Sequence, residues 1–209
     1  MSSEELERLF EDLEHPNPYI QTQAFTAMGE RWKEEAIPRL VALLSQPNVG
    51  LRRASVRALG AFGASAMQPI ADCFQAAEDA TVRASCVKAY AQLASNYPGL
   101  PFSNSAMAVL RDGLRDESPV VAVASVMALG QVGKQAVALL LEVSRGDNPA
   151  QGVAAINALA EINDPKVEEG FNALLNEETL DCYVKETLSS AVMRLKDLQR
   201  VRRPDCSAD

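Results

Sequence analysis

The chain repeats a short phrase at a nearly constant interval along its 209 residues. Ala-Met-Gly, Ala-Leu-Gly, Ala-Tyr-Ala, Ala-Leu-Gly and Ala-Leu-Ala begin at positions 27, 58, 89, 128 and 158, and Ala191 stands in the same register. The successive steps are 31, 31, 39, 30 and 33 residues. A period near thirty residues indicates stacked supersecondary units, each of which buries its apolar face only against its neighbours.

Each repeat has the pattern of two helices joined by a polar turn. The clearest copy is 116–133, in which an acidic turn and Pro119 precede apolar residues at helical spacing. Asn, Asp and Ser in the equivalent turns can cap the second helix, and proline suits its first turn. The predicted helical pairs cover residues 4–31, 36–63, 65–95, 103–132, 134–162 and 165–198.

The repeat therefore predicts an all-α fold, a HEAT-like α-solenoid of about six antiparallel helix pairs over residues 1–198. Neither the aromatic-and-proline pattern of tetratricopeptide repeats nor the T-P-L-H phrase of ankyrin repeats occurs. The 39-residue step has a visible cause, because SNYPGLPF at 95–102 is inserted there and its two prolines interrupt helix. Residues 199–209 lack apolar periodicity, and we expect a disordered C-terminal tail there.

Charge, hydropathy and cysteine spacing indicate the surroundings and the partners that the chain is suited to. The net charge of −8 and the pI near 4.8 argue against nucleic acid or an anionic membrane as the main partner. No apolar segment of the sequence approaches the roughly 20 residues of a membrane span, and the first residues do not resemble a signal peptide. The four cysteines show no paired short spacing. We therefore expect a cytoplasmic protein with no membrane span and no nucleic-acid partner.

The sequence offers no catalytic constellation. Its one histidine, His15, stands in a turn before a proline, and Gly-rich phosphate loops, H-E-x-x-H and C-x-x-C motifs are absent from the sequence. Neither catalytic nor metal-binding residues are predicted. Cys73 and Cys86 fall near the buried faces of the third pair and are expected to be neighbours. They are either small core residues or part of a labile metal or cluster ligand set.

The outer side of four successive second helices carries apolar residues where a solvated helix would carry polar ones. This side comprises Arg53, Val56, Arg57, Val87, Lys88, Val123, Val126, Met127, Val153, Ile156 and Asn157. Two interpretations stay open: an apolar binding groove with basic residues at its earlier end, or sideways packing between adjacent second helices. In a groove, Arg57 and Lys88 would meet a carboxylate-bearing ligand or an acidic partner. Arg52 and Arg83, just after their turns, are expected to bond neighbouring acidic or carbonyl groups.

Several phrases of the chain resemble the HEAT-like repeat phycobilin lyases of the E/F type, especially the short, chaperone-like members. They are HPNPYIQTQA (15–24), RRASVRALGAFG (52–63), NYPGLPF (96–102), SPVVAVASVMALGQVG (118–133) and YVKETLSSAVMRL (183–195). The resemblance spans nearly the whole chain. Its most specific part is the insert NYPGLPF, which stands at the matching place between two repeats and is followed by SVMALG.

The resemblance implies a cytoplasmic cyanobacterial protein of phycobilisome assembly. Its ligand would be a transiently bound linear tetrapyrrole (bilin), with no tightly bound cofactor. Its partners would be a phycobiliprotein subunit, whose cysteine receives the bilin through a thioether, and a second, longer HEAT-repeat lyase subunit. The chain is thus expected to be a lyase subunit or chaperone-like partner without catalytic residues of its own. The alternative is a non-catalytic HEAT-repeat scaffold in iron–sulfur cluster assembly or phycobilisome turnover.

Overall fold

The computed structural model describes residues 3–202, with side chains described from Glu4 to Leu195. The described chain is built from α-helices and short 3₁₀ turns, and it forms two compact units that divide between Val132 and Gly133. The helices are α1 Ser3–Asp12, α2 Pro18–Arg31, α3 Lys33–Ala42, α4 Val49–Ala61, α5 Met67–Ala76, α6 Ala80–Asn96, α7 Asn104–Gly113, α8 Pro119–Val132, α9 Val137–Ser144, α10 Pro149–Ala160, α11 Pro165–Leu175 and α12 Cys182–Arg202.

These helices form the six expected pairs, so the prediction of a HEAT-like α-solenoid is confirmed. The second helices begin where the polar turns predicted. The Asn17, Asn48 and Asn148 side chains each accept a hydrogen bond from a backbone N–H of the helix that follows. Helix α12 continues to Arg202, four residues past the predicted end of the solenoid at 198. The rest of the predicted tail, 203–209, lies outside the described residues.

The insert after α6 is anchored by aromatic residues. Gly99 adopts φ +81°, a left-handed conformation that favours glycine. The chain then returns to the core at Phe102, which is buried against Tyr90 with ring centroids 5.8 Å apart. The Tyr90 hydroxyl donates to the carbonyl oxygen of Met67 at 2.7 Å. The insert is therefore packed into the first unit, although it breaks the period of the repeat.

In the first unit, second helices lie side by side, with α4 against α6 and α6 against α8. Gly60 marks a close approach, because a Cβ atom there would lie 2.4 Å from Cγ of Gln92 on α6. Behind them, α3 contacts α4, α5 contacts α6 and α7 contacts α8. Each second helix therefore buries residues toward its first helix and also toward its lateral neighbours.

Ion pairs join successive repeats at nearly the repeat spacing. In the first unit, Arg83 forms a two-pronged pair with Asp116, from Nε to Oδ2 at 2.6 Å and from Nη2 to Oδ1 at 3.0 Å. Arg83 also donates to the carbonyl oxygen of Glu78 at 2.7 Å. In the second unit, Arg145 donates to Glu177 at 2.7 Å. The expectation that Arg83 bonds a neighbouring turn is confirmed.

The second unit repeats the same packing with α9 to α12. Helix α10 contacts both α9 and α12, and α11 contacts α9 and α12. A Cβ atom at Gly152 of α10 would lie 2.8 Å from a methyl group of Val184, so glycine permits the approach of α12. Within the described residues, one helical stretch, Pro119–Ser144, is long and apolar enough to cross a membrane, and half of its most apolar window is buried. A buried core helix of a soluble protein passes the same test, and the prediction of no membrane span stays a prediction.

Candidate ligand-binding surface

A pocket of about 510 Å³ opens on the face of the first unit that carries the second helices. Helix α4 forms one wall, α6 the other, and the first residues of α8 close one end. This volume lies in the range of about 300–1,000 Å³ that is usual for small-molecule sites. The residues that line it are Val49, Arg52, Arg53, Val56, Arg57, Ala80, Thr81, Ala84, Ser85, Lys88, Gln92, Ser118 and Val120.

The lining of this pocket is cationic in a protein whose net charge is −8. Four of its side chains are Arg or Lys, and none of its lining residues is Asp or Glu. The pocket also lies beside the N-terminal ends of α6 and α8, where the helix dipole adds positive potential. Charge of one sign along a cleft concentrates ligands of the opposite sign.

Two of the four cations are held by the fold. Arg52 donates to the carbonyl oxygen of Gln46 at 2.6 Å, so its expected role at the polar turn is confirmed. Arg57 donates to Oε1 of Gln21 on α2, one repeat earlier. Arg53 and Lys88 are exposed, and within the described part of the chain they form no hydrogen bond or ion pair. These two side chains are therefore available to a ligand.

An apolar stripe adjoins the pocket on α8. Val120, Val123 and Met127 are 61%, 41% and 64% exposed, and their i, i+3, i+7 spacing places them on one face of the helix. Val120 also lines the pocket, so the stripe and the pocket are continuous. Large apolar side chains exposed together on a helix without charged residues are typical of a binding surface.

For three residues of the sequence-predicted groove, the prediction of a surface position is wrong. Val87 on α6, Val126 on α8 and Ile156 on α10 have 0% exposure. A second helix has a first helix behind it and other second helices beside it, so its apolar face is wider than that of a helix with one neighbour. Their burial excludes these three side chains from the lining of a groove.

The structure brings together only part of the predicted groove. Arg53, Val56, Arg57 and Lys88 meet in the pocket, and Val123 and Met127 form the adjoining stripe. Val153 and Asn157 lie on α10, in the second unit. Val153 is half-buried, and Oδ1 of the exposed Asn157 accepts a hydrogen bond from Arg194 at 3.2 Å.

Sequence reasoning missed the hydroxyl and amide groups of the pocket. Thr81, Ser85 and Gln92 occupy one face of α6 at positions i, i+4 and i+11, the same face as Lys88. That spacing was readable from the sequence as a polar stripe on a second helix. Ser118 contributes from the turn before α8, and its backbone N–H donates to Oδ1 of Asp116 at 2.9 Å.

Cys73 and Cys86 are neighbours, as expected, but on the side of α6 that faces α5. The interaction between the two thiols lowers the pKa of Cys73. The same interaction, together with burial, raises the pKa of Cys86. Among the residues that the structure describes, no group of three or more His, Cys, Asp or Glu side chains could hold a metal ion. Cys86 is buried and Cys73 is half-buried.

Comparison with known proteins places the chain among helical-repeat relatives. The HEAT repeats family matches residues 6–91 and 107–192. The "uncharacterized phycocyanin operon protein Z" of Pseudanabaena tenuis (strain PCC 7409) is 37% identical over 95% of this chain and 98% of the relative. The "bilin biosynthesis protein CpeZ" of Synechococcus sp. (strain WH8020) is 34% identical over 84% of this chain and 97% of the relative. The solved complex of CpcE and CpcF of phycocyanin lyase from Nostoc sp. PCC7120 matches 91% of this chain and 99% of that chain, with 20% identity and a TM-score of 0.35.

Proposed function

The chain belongs to the HEAT-like repeat phycobilin lyase family, and from this premise we propose that it binds a bilin and assists its attachment to a phycobiliprotein. It acts as a lyase subunit or as a chaperone-like partner of a second, longer HEAT-repeat subunit. The bilin is a transient ligand, and the acceptor is a cysteine of the phycobiliprotein.

The observation that carries this proposal is the joined pocket and stripe of the first unit. A bilin is an extended, largely apolar molecule with two propionate groups. The pocket offers Arg53 and Lys88 without an opposing carboxylate among its lining residues, and the stripe of Val120, Val123 and Met127 offers apolar contact beside it. An apolar body with carboxylates at one side matches this combination better than a purely polar ligand does.

The chemistry assigned to this chain is orientation. The lining residues include neither histidine, cysteine nor carboxylate, so the pocket holds no general acid or base with a pKa near neutrality. Thioether formation adds the acceptor thiol across a double bond of the bilin and moves the thiol proton to carbon, so no oxidant is required. A protein that holds the two reactants in attack geometry accelerates such an addition by lowering its entropic barrier.

Binding of biliverdin to the purified chain tests the first half of the proposal. We expect a saturable absorbance change and an induced circular dichroism signal, because a curved bilin fixed in an asymmetric pocket becomes chiral on average. Thr81→Trp fills the pocket from an exposed position on α6 and is expected to weaken binding at least about tenfold. Thr22→Trp is the matched control, since Thr22 is also an exposed helical threonine, on α2, but does not line the pocket.

Two outcomes would contradict this proposal. The first is the absence of saturable binding to the wild-type chain. The second is a Thr81→Trp protein that is folded by circular dichroism and binds biliverdin as tightly as the Thr22→Trp control.

A further inference from the structure

We propose that Arg53 and Lys88 form a carboxylate clamp that makes this pocket specific for a ligand with two carboxylates. This inference rests on the proposed function for the identity of the ligand, and it adds which side chains select the ligand and by which groups. Of the four cations of the pocket, two then stabilise the fold and two bind the ligand.

The first step is the difference in how the cations are used. Arg52 and Arg57 already donate to protein oxygens on Gln46 and Gln21, and both are half-buried. An arginine so engaged has fewer donors left for a ligand and loses a structural bond if it moves. Arg53 and Lys88 are exposed and have no protein partner among the described residues, so a ligand meets no competition for their donors.

The second step concerns the acidic residues that directly precede the lining residues in the sequence. Asp79 precedes those of α6, and Asp116 and Glu117 precede those of α8. The Oδ1 atom of Asp79 accepts from the backbone N–H of Thr81 at 2.7 Å, Asp116 is paired with Arg83, and Oε1 of the exposed Glu117 lies 3.6 Å from Nη2 of the same arginine. These three carboxylates thus have donors outside the clamp and none of them lines the pocket, which leaves the charge of Arg53 and Lys88 without a carboxylate partner there.

The third step is spacing. Arg53 lies on α4 and Lys88 on α6, and these helices are adjacent and pass closely at Gly60. Packed helix axes are typically about 8–10 Å apart, so each cation can bind its own carboxylate on a ligand that lies across both helices. Arginine binds a carboxylate through two parallel N–H groups, whereas lysine acts as a point charge. Arg53 therefore selects the orientation of the carboxylate that it binds, whereas Lys88 accepts a carboxylate in many orientations.

The fourth step is the surface between and beside the two cations. Val56 lies in the pocket on α4, and the exposed Val120 continues it toward Val123 on α8. A small polar diacid would leave these apolar side chains in water. A ligand that carries two carboxylates on a long apolar body covers them and satisfies both cations.

The test compares biliverdin with its dimethyl ester, which has the same conjugated skeleton but no carboxylate charge. Each compound is titrated into the full chain as wild type, Arg53→Gln, Lys88→Gln and the double variant. Arg111→Gln is the matched control, because Arg111 is an exposed cation in the last turn of α7 and does not line the pocket.

We expect the wild-type chain to bind the diacid about a hundredfold more tightly than the diester, about tenfold for each carboxylate that loses its charge-assisted hydrogen bonds. Each single variant should weaken binding of the diacid about tenfold and leave binding of the diester unchanged, and the double variant should bind both compounds alike. The preference of the Arg111→Gln control should equal that of the wild type.

Equal binding of diacid and diester by the wild-type chain would overturn the clamp and leave the proposed bilin-binding function standing. Equal losses for both compounds in the Arg53 and Lys88 variants would also overturn it, since the side chains would then act through packing. Failure of the wild-type chain to bind either compound would overturn the clamp and the proposed function together.

Discussion

Val126 and Val123 form a matched pair that tests how the second helices pack. They are the same residue type, three positions apart on α8, but Val126 has 0% exposure and Val123 has 41%. Truncation to alanine removes two methyl groups, which at Val126 are worth about 1.6 kcal/mol of transfer free energy. Incomplete collapse of the resulting cavity raises the expected loss to about 2–3 kcal/mol.

Helix propensity acts in the opposite direction and is cancelled by the control. Alanine is favoured over valine in a helix by about 0.6 kcal/mol, and both substitutions gain this amount. We expect Val126→Ala to lower the free energy of unfolding by about 2 kcal/mol net, and Val123→Ala to change it by less than about 0.5 kcal/mol. Urea denaturation followed by circular dichroism should therefore show a midpoint lower by about 1 M for Val126→Ala alone.

Equal midpoints for the two alanine variants would refute the reasoning. That result would mean that Val126 is not buried by the packing of α8 against α6 and α7. The apolar groove that the sequence pattern predicted over α8 would then have to include it.

Two further predictions concern the contacts between repeats. Gly60→Ala should destabilise the protein although alanine has the better helix propensity, because the added Cβ atom meets the Gln92 side chain. Gly29→Ala should stabilise the protein by about 0.5–1 kcal/mol, since the nearest atom to its added Cβ is 3.9 Å away. Thermal unfolding compares the two variants, and equal stability of Gly60→Ala and Gly29→Ala would contradict the prediction. Arg83 holds the pKa of Asp116 below its usual range, so the pair stabilises the fold above the unfolded pKa of about 3.9 and the contribution is lost as pH falls through the lower folded pKa. Asp116→Asn should thus lower the free energy of unfolding by about 2–3 kcal/mol at pH 7 and by progressively less below about pH 4, as measured by urea unfolding across pH. A loss of stability that is the same at pH 3 and pH 7 would argue against the ion pair.

The pairs of helices were predictable because their signals are local. Asn48 caps α4 by accepting from Gly50 and Leu51, and a polar residue before an apolar run predicts that start directly. The same is true of Asp164 before α11. Repetition of these signals at a period near thirty then predicts the stacked architecture without any tertiary information.

The candidate site was predictable only in part, because its decisive contacts cross repeats. Arg57 reads as a free cation in the sequence, but its partner Gln21 lies 36 positions earlier on another second helix. On a single helical wheel Val126 is predicted to face outward, but α8 packs against α6 and α7, and these contacts cannot be inferred from the periodicity of α8 alone. Arg53 and Lys88 line the pocket, and neither takes part in a hydrogen bond or ion pair within the described residues, so their role in ligand binding stays a prediction.

Covalent attachment of bilin in the presence and absence of this chain is the most direct test of the proposed role. A phycobiliprotein subunit, a bilin and a longer HEAT-repeat lyase subunit are co-expressed with the wild-type chain, with the Arg53→Gln, Lys88→Gln variant, or without either. The measured quantity is zinc-enhanced fluorescence of the phycobiliprotein band after denaturing electrophoresis, which reports bilin that is covalently bound. We expect a clear increase in attached bilin with the wild-type chain and a much smaller one with the variant. Equal attachment in all three cultures would contradict it.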